Sequence, residues 1–194
     1  FMQTHLPSNV KYAFSGSVKD FLQSHSRIQV IFLLALAFIY LVLAAQFESF
    51  IDPFIVLLSV PLSIVGGLFV LRLAGGTLNI YSQIALVTLI GLIAKHGILI
   101  TEFANQMRAQ GKDIYHAVVD AAVLRLRPIL MTTGAMVLGA LPLALATGAG
   151  AVSRQQVGWV IVGGMLFGTF FSLFVVPTAY LYLAKFQNPH RLGE

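Results

Sequence analysis

Gly91-Leu-Ile-Ala-Lys95-His96-Gly97-Ile-Leu-Ile100 decides how this chain is read, because it sets a lysine and a histidine inside a segment that is otherwise soluble in hydrocarbon. From Ile80 to Ile100 only Tyr81, Ser82, Gln83, Thr88, Lys95 and His96 carry polar side chains. A helix needs roughly 20 mainly apolar residues to cross a bilayer, so Lys95 is a charge at membrane depth. A lysine near the centre of such a helix costs about 2.5 to 3.5 kcal/mol on insertion scales and requires a protein interior or water-filled cavity, together with an opposing charge.

The rest of the composition points the same way. The 194 residues are 58% hydrophobic and 10% charged, with mean hydropathy +0.87, whereas a soluble domain is about 25% charged. This is the composition of an all-α integral membrane protein. The net charge of +5 comes from twelve basic residues scattered over loops and helix ends. That distribution fits membrane topology and argues against nucleic acid as a partner. With no cysteine there are no disulfides or thiolate metal sites. No signal-peptide pattern opens the sequence, and residues 1–27 read as the tail of a longer chain.

Within that tail Asn9 to Phe14 alternates, with Val10, Tyr12 and Phe14 on one side, which predicts a short extramembrane strand. Val18 to Arg27, with Ser17 as its N-cap and Phe21 and Leu22 as its apolar stripe, predicts a short interfacial helix. Five apolar runs follow, at about 28–45, 53–71, 79–104, 127–146 and 157–182. Pro53 fits the first turn of the second span. Pro61 and Gly66-Gly67 inside it are tolerable in a membrane, where neighbouring helices re-satisfy the backbone and small residues allow close packing. Between the third and fourth spans, residues 112–124 place Ile114, Ala117, Val118, Ala121 and Ala122 opposite Asp113, His116 and Asp120. That pattern predicts an amphipathic helix on the membrane surface. Arg108, Lys112, Arg125 and Arg127 in this connection, against Arg154 alone after the fourth span, make it cytoplasmic. The N-terminal region is then outside, and residues 186–194 form a cytoplasmic tail.

At about 100° per residue, positions seven apart return to one helix face. Thr88, Lys95 and Glu102 share such a stripe, with Gly91 beside them, and Arg125, Thr132 and Gly139 share another. Each helix thus carries a basic group and a threonine on one line, which is how a polar, proton-conducting seam between helices is built. Taken singly, Arg125 and Arg127 read as snorkelling anchors, Thr132 and Thr133 as threonines bonded to their own backbone, and Glu102 as a headgroup-level carboxylate. His96, about 100° away from Lys95, reads either as a packing residue or as a second titrating group.

Leu43-Ala-Ala-Gln-Phe-Glu-Ser-Phe50, Val60-Pro-Leu-Ser-Ile64, Gly91 to Ile100 with Glu102-Phe103, Arg125-Leu-Arg-Pro-Ile-Leu-Met-Thr132 and Thr147-Gly-Ala-Gly150 together resemble the C-terminal membrane half of a resistance-nodulation-division (RND) efflux permease of the hydrophobe/amphiphile branch. The resemblance implies that the five spans are helices eight to twelve of a twelve-helix bundle, following the last strand and linker of a periplasmic pore domain. It implies drug/proton antiport in the bacterial inner membrane, powered by the proton motive force with no cofactor or metal, and no enzymatic chemistry. It assigns Lys95, Arg125 and Thr132 to a proton relay, with Thr88, His96, Glu102 and Thr133 as subsidiary candidates. In the family, the lysine pairs with two aspartates on the fourth helix, and the five expected spans contain no Asp. His96-Gly97 stands where the family form has Asn-Ala. The implied partners are the rest of the same permease with its aspartate pair, further copies in a homotrimer, a periplasmic adaptor, an outer-membrane channel and membrane lipids.

Rival readings are a pump of the same superfamily for a metal or lipid or driven by sodium, and a non-transporting scaffold. An intramembrane hydrolase is disfavoured, since Ser63, Ser153 and Ser172 lack a nucleophile-elbow context and His96 lacks a spaced metal partner.

Overall fold

A computed structural model describes residues 17–183, with side chains from residue 30 onward; the strand expected at Asn9 to Phe14 and the tail at 186–194 lie outside the described residues. Six helices follow one another: α1 (Ser17–Phe47), α2 (Ile51–Leu57), α3 (Val60–Leu73), α4 (Ile80–Ala109), α5 (Ile114–Ala144) and α6 (Ala151–Leu183). With α2 and α3 taken as one segment, five are long and apolar enough to cross a membrane. The described residues contain no strand, and the all-helical membrane architecture read from the composition stands.

The helix boundaries differ from the sequence expectation in instructive places. The interfacial helix and the first span are one helix, α1, because nothing between Ser17 and Phe47 stops it. The surface helix expected at 112–124 and the span expected from 127 are likewise one helix. The Arg-Leu-Arg-Pro junction holds no glycine or capping residue, and Pro128 lies inside α5. The apolar stripe Ala117, Val118 and Ala121 is fully buried in the bundle. It packs with Ile100 and Ala104 of α4 and with Val176, Ala179 and Tyr180 of α6. α6 begins at Ala151, ahead of the expected 157.

Pro61 has the opposite effect from Pro128. It cannot donate to the Leu57 carbonyl, and the helix is interrupted at Leu58 and Ser59. Both of these keep α-region dihedrals, so the segment continues in nearly the same direction. Ser59 Oγ donates to the Val56 carbonyl at 2.8 Å and Ser63 Oγ to the Ser59 carbonyl at 3.0 Å. Side chains thereby satisfy main-chain acceptors at the break. Upstream, the turn after α1 passes through Glu48 at φ 49°, and Asp52 lies in the first turn of α2.

α6 is the central helix, packed against α3, α4 and α5, while α1 touches chiefly α2 and α4. Only 6% of Val30–Phe47 is buried, against 56% of the apolar window in α4, which makes α1 the outer helix. One core cluster joins α3, α4 and α6 through Leu71, Leu89, Ile93, Val160 and Met165. A second joins α2, α4, α5 and α6 around Ile55, Ile129 and Tyr180, and a third joins α1, α2 and α4 through Leu43, Val56 and Ala94. Close approach rests on glycine: a Cβ at Gly164 would fall on the Leu89 side chain, and one at Gly158 on the main chain of Ala144.

Candidate functional site

α4 starts from a capping box, in which Asn79 Oδ1 accepts from the Ser82 amide at 3.0 Å and Ser82 Oγ accepts from the Asn79 amide at 2.8 Å. Two donors at the helix end are thus satisfied locally and the phase of the helix is set from its first turn. In that phase Thr88, Gly91, Lys95 and Glu102 are all exposed along one stripe. Among the described residues Lys95 and Glu102 make no ion pair or hydrogen bond. Thr88 Oγ1 donates to the Ile84 carbonyl of its own helix at 3.0 Å.

On α5 the second stripe is half covered. The Arg125 guanidinium lies 4.4 Å above the centroid of the Phe103 ring of α4, a contact that exploits the weak hydration of guanidinium. Its Nε is buried with no hydrogen-bond partner among the described residues. Thr132 Oγ1 lies 3.1 Å from the Pro128 carbonyl and 3.0 Å from that of Ile129. Its single proton is therefore held by its own helix. Lys95 is exposed on α4 whereas Arg125 and Thr132 are half-buried on α5, and no hydrogen bond links the three to one another among the described residues.

The next residue on each helix faces the other way. His96 is completely buried, and Thr133 of α5 and Thr169 of α6 are buried with it. His96 Nδ1 lies 3.3 Å from Thr169 Oγ1, and Thr169 Oγ1 lies 2.9 Å from Thr133 Oγ1. Thr133 Oγ1 donates to the Ile129 carbonyl at 2.8 Å. Three helices are thus joined by one polar chain at the bundle interior. Sequence reasoning proposed His96 and Thr133 but missed Thr169. The available signal was chemical: a buried imidazole needs a partner.

Two further polar clusters close the ends of the bundle. At one end Asn105 Nδ2 donates to Asp52 Oδ2 at 2.9 Å, the Tyr180 hydroxyl donates to Asn105 Oδ1, and Arg108 Nη1 donates to the Tyr180 hydroxyl at 3.1 Å. Asp52 and Tyr180 are both buried, so α2, α4 and α6 are tied through a desolvated carboxylate. At the other end Asn79 Nδ2 donates to Gln156 Oε1, linking the cap of α4 to α6. No group of three metal-ligating side chains occurs among the described residues.

These features define a multi-pass helical membrane protein with an intramembrane cation on an uncovered face. The chain belongs to the AcrB/AcrD/AcrF family, which matches it over residues 1–184, and the RND resemblance read from its motifs is borne out. It is 48% identical over 192 residues to an uncharacterized transporter of Haemophilus influenzae, covering 95% of this chain and 19% of that relative. It is 40% identical over 180 residues to the toluene efflux pump membrane transporter TtgB of Pseudomonas putida, covering 93% and 17%. To the multidrug resistance protein MdtF of Escherichia coli it is 40% identical over 177 residues, covering 91% and 17%. The chain thus spans less than a fifth of the length of these curated relatives.

Proposed function

We propose that this chain supplies helices eight to twelve of a drug/proton antiporter in the bacterial inner membrane, with Lys95, Arg125 and Thr132 carrying part of its proton relay. The observation that carries this reading is the position of Lys95: mid-span, exposed on its stripe, and unpaired among the described residues. A cation there cannot face lipid, so the stripe packs against the rest of the permease, where an aspartate pair supplies the opposing charge. Protonation of that pair releases Lys95 and shifts the helices that bear the relay. Substrate export follows from the resulting change of state. The names of the relatives, a toluene efflux pump and a multidrug resistance protein, support amphiphilic drugs and solvents as substrates.

In this reading the end of the bundle that carries Arg108 and Lys112 is cytoplasmic. The permease is a homotrimer working with a periplasmic adaptor and an outer-membrane channel, and the proton motive force is its energy source. The test is Lys95→Met in the full-length permease, which keeps the side chain's bulk and removes its charge. Drug export falls to the level of cells lacking the pump, while membrane expression and trimer assembly stay intact. Undiminished export refutes the relay assignment.

A further inference from the structure

His96 and Thr133 each follow a proposed relay residue, Lys95 and Thr132, and each turns inward to meet Thr169. We propose that Thr169 and His96 are positioning residues for the relay: their hydrogen-bond chain through α6 fixes the rotation of α4 and α5, and hence the aim of Lys95 and Thr132. The inference deepens the proposed function and rests on it.

The direction of the chain follows from counting protons. Thr133 has one hydroxyl proton, and the Ile129 carbonyl at 2.8 Å takes it. Thr169 must then be the donor in its 2.9 Å bond to Thr133, which uses its own proton. The remaining contact, 3.3 Å from Thr169 Oγ1 to His96 Nδ1, is made with Nδ1–H as the donor. This order leaves Nε2 as an acceptor, the unpartnered buried atom of the ring. The reverse order would strand a buried N–H, the rarer and costlier defect. The chain therefore runs from His96 through Thr169 and Thr133 to Ile129, ending on a carbonyl that Thr132 Oγ1 also approaches at 3.0 Å.

The position of Thr169 in α6 makes this bridge sterically feasible. At Gly168, beside it, a Cβ would meet Ile93 of α4 and Ser63 of α3. Bare backbone at that point lets α6 approach α4 closely enough for the bond to His96. Successive side chains on a helix diverge by about 100°. Holding His96 inward therefore holds Lys95 outward, and holding Thr133 inward does the same for Thr132. Hydrophobic exclusion does not fix helix rotation in lipid, so packing and interhelical hydrogen bonds must. The charged neighbour of His96 along its own helix is Lys95. α5 and α6 meet the ring's chain with hydroxyls.

The test compares Thr169→Val, which keeps the shape and removes the hydroxyl, with Thr169→Ser, which keeps the hydroxyl, in the full-length permease reconstituted in proteoliposomes. Thr169→Val lowers the maximal export rate about tenfold with the drug KM unchanged and moves the pH profile of export by about one unit. Thr169→Ser restores both. A wild-type rate and pH profile in Thr169→Val overturns the inference, as does equal impairment of the two variants. If Thr169→Val does not accumulate in the membrane, Thr133→Val against Thr133→Ser makes the same comparison on the adjoining hydroxyl. Lys95→Met is run alongside: continued export there overturns the relay reading itself, whatever the Thr169 variants do.

Discussion

Tyr180→Phe removes one oxygen from the buried cluster at the Asp52 end and little else. The ring of Tyr180, 1% exposed, keeps its packing and its place 5.8 Å from the Arg108 guanidinium. Two bonds go: the hydroxyl's donation to Asn105 Oδ1 and its acceptance from Arg108 Nη1 at 3.1 Å. Arg108 is half-buried, so water can replace part of its loss. Asn105 Oδ1 is left without its partner while Nδ2 remains committed to Asp52 at 2.9 Å. Asn105 is half-buried as well, so the loss falls at the low end of the range for an unsatisfied buried acceptor, about 1 kcal/mol, which raises the local opening constant about fivefold. Amide hydrogen exchange on the full-length permease reads this directly. Exchange accelerates in Ile51–Leu57 and in residues 176–183, the segments that the cluster ties together, and stays near wild type in α3. Thr178→Val is the control. Among the described residues its exposed hydroxyl bonds only the Phe174 carbonyl of its own helix, at 2.7 Å, and its loss leaves exchange unchanged. Wild-type exchange in both segments of Tyr180→Phe would refute the network. Uniform acceleration across all helices would show that the oxygen supports the bundle as a whole and does not act as a local latch at the Asp52 end.

Gly158→Ala places a methyl 2.6 Å from Ala144 Cα and 2.8 Å from the Leu143 carbonyl carbon, main-chain atoms that no rotamer change can move. The resulting overpacking costs about 1 to 3 kcal/mol, offset by up to about 1 kcal/mol of helix propensity. It appears as a lower midpoint of detergent-induced unfolding, and a wild-type midpoint would show that α5 and α6 are further apart at this point. Asp120→Asn breaks the ion pair with Lys112 at 2.8 Å, whose side chains are 46% and 44% exposed. An exposed pair contributes only about 0 to 1 kcal/mol, so exchange in the first turns of α5 changes less than about fivefold, and the difference shrinks in high salt. A larger, salt-independent change would mean that the pair is buried in the assembled permease.

Composition and helical phase made the membrane architecture and one face of the site legible, and particular residues show where that legibility ended. Thr88, Lys95 and Glu102 were placed on one stripe by their spacing, and all three are exposed together. The same arithmetic turned His96 away from Lys95, and it is buried. Phase gives an angle around a helix axis but not the identity of the helix that covers that angle. Thr169 lies 73 residues from His96, and Asn105 and Tyr180 lie 53 and 75 residues from the groups they bond. Prolines show the same limit at shorter range. Pro61 stands next to a break and Pro128 inside a continuous helix, although both remove one donor. Serine hydroxyls at 59 and 63 donate to main-chain carbonyls at the break, whereas at Pro128 the helix packs against α4 and α6 and continues.

The distribution of polar groups determines which surface of the bundle can meet lipid. Inside, His96, Thr169 and Thr133 are linked in one chain that ends on the Ile129 carbonyl, and the carboxylate of Asp52 receives an amide donor. Outside, α1 exposes Leu33, Leu34, Phe38 and Leu41, hydrocarbon that acyl chains can cover without loss. The α4 stripe exposes Lys95 and Glu102, and no lipid tail can solvate either. Two exposed faces with the same helical backbone therefore have opposite requirements. The α1 face is stable against the bilayer, whereas the Lys95 face needs protein or water. With a cost of about 2.5 to 3.5 kcal/mol for a lysine at mid-depth on insertion scales, a partner carboxylate is the arrangement that both lowers this cost and can be switched by a proton. A charge whose partner can be neutralised makes helix position depend on protonation, which is the physical requirement for coupling a proton gradient to transport.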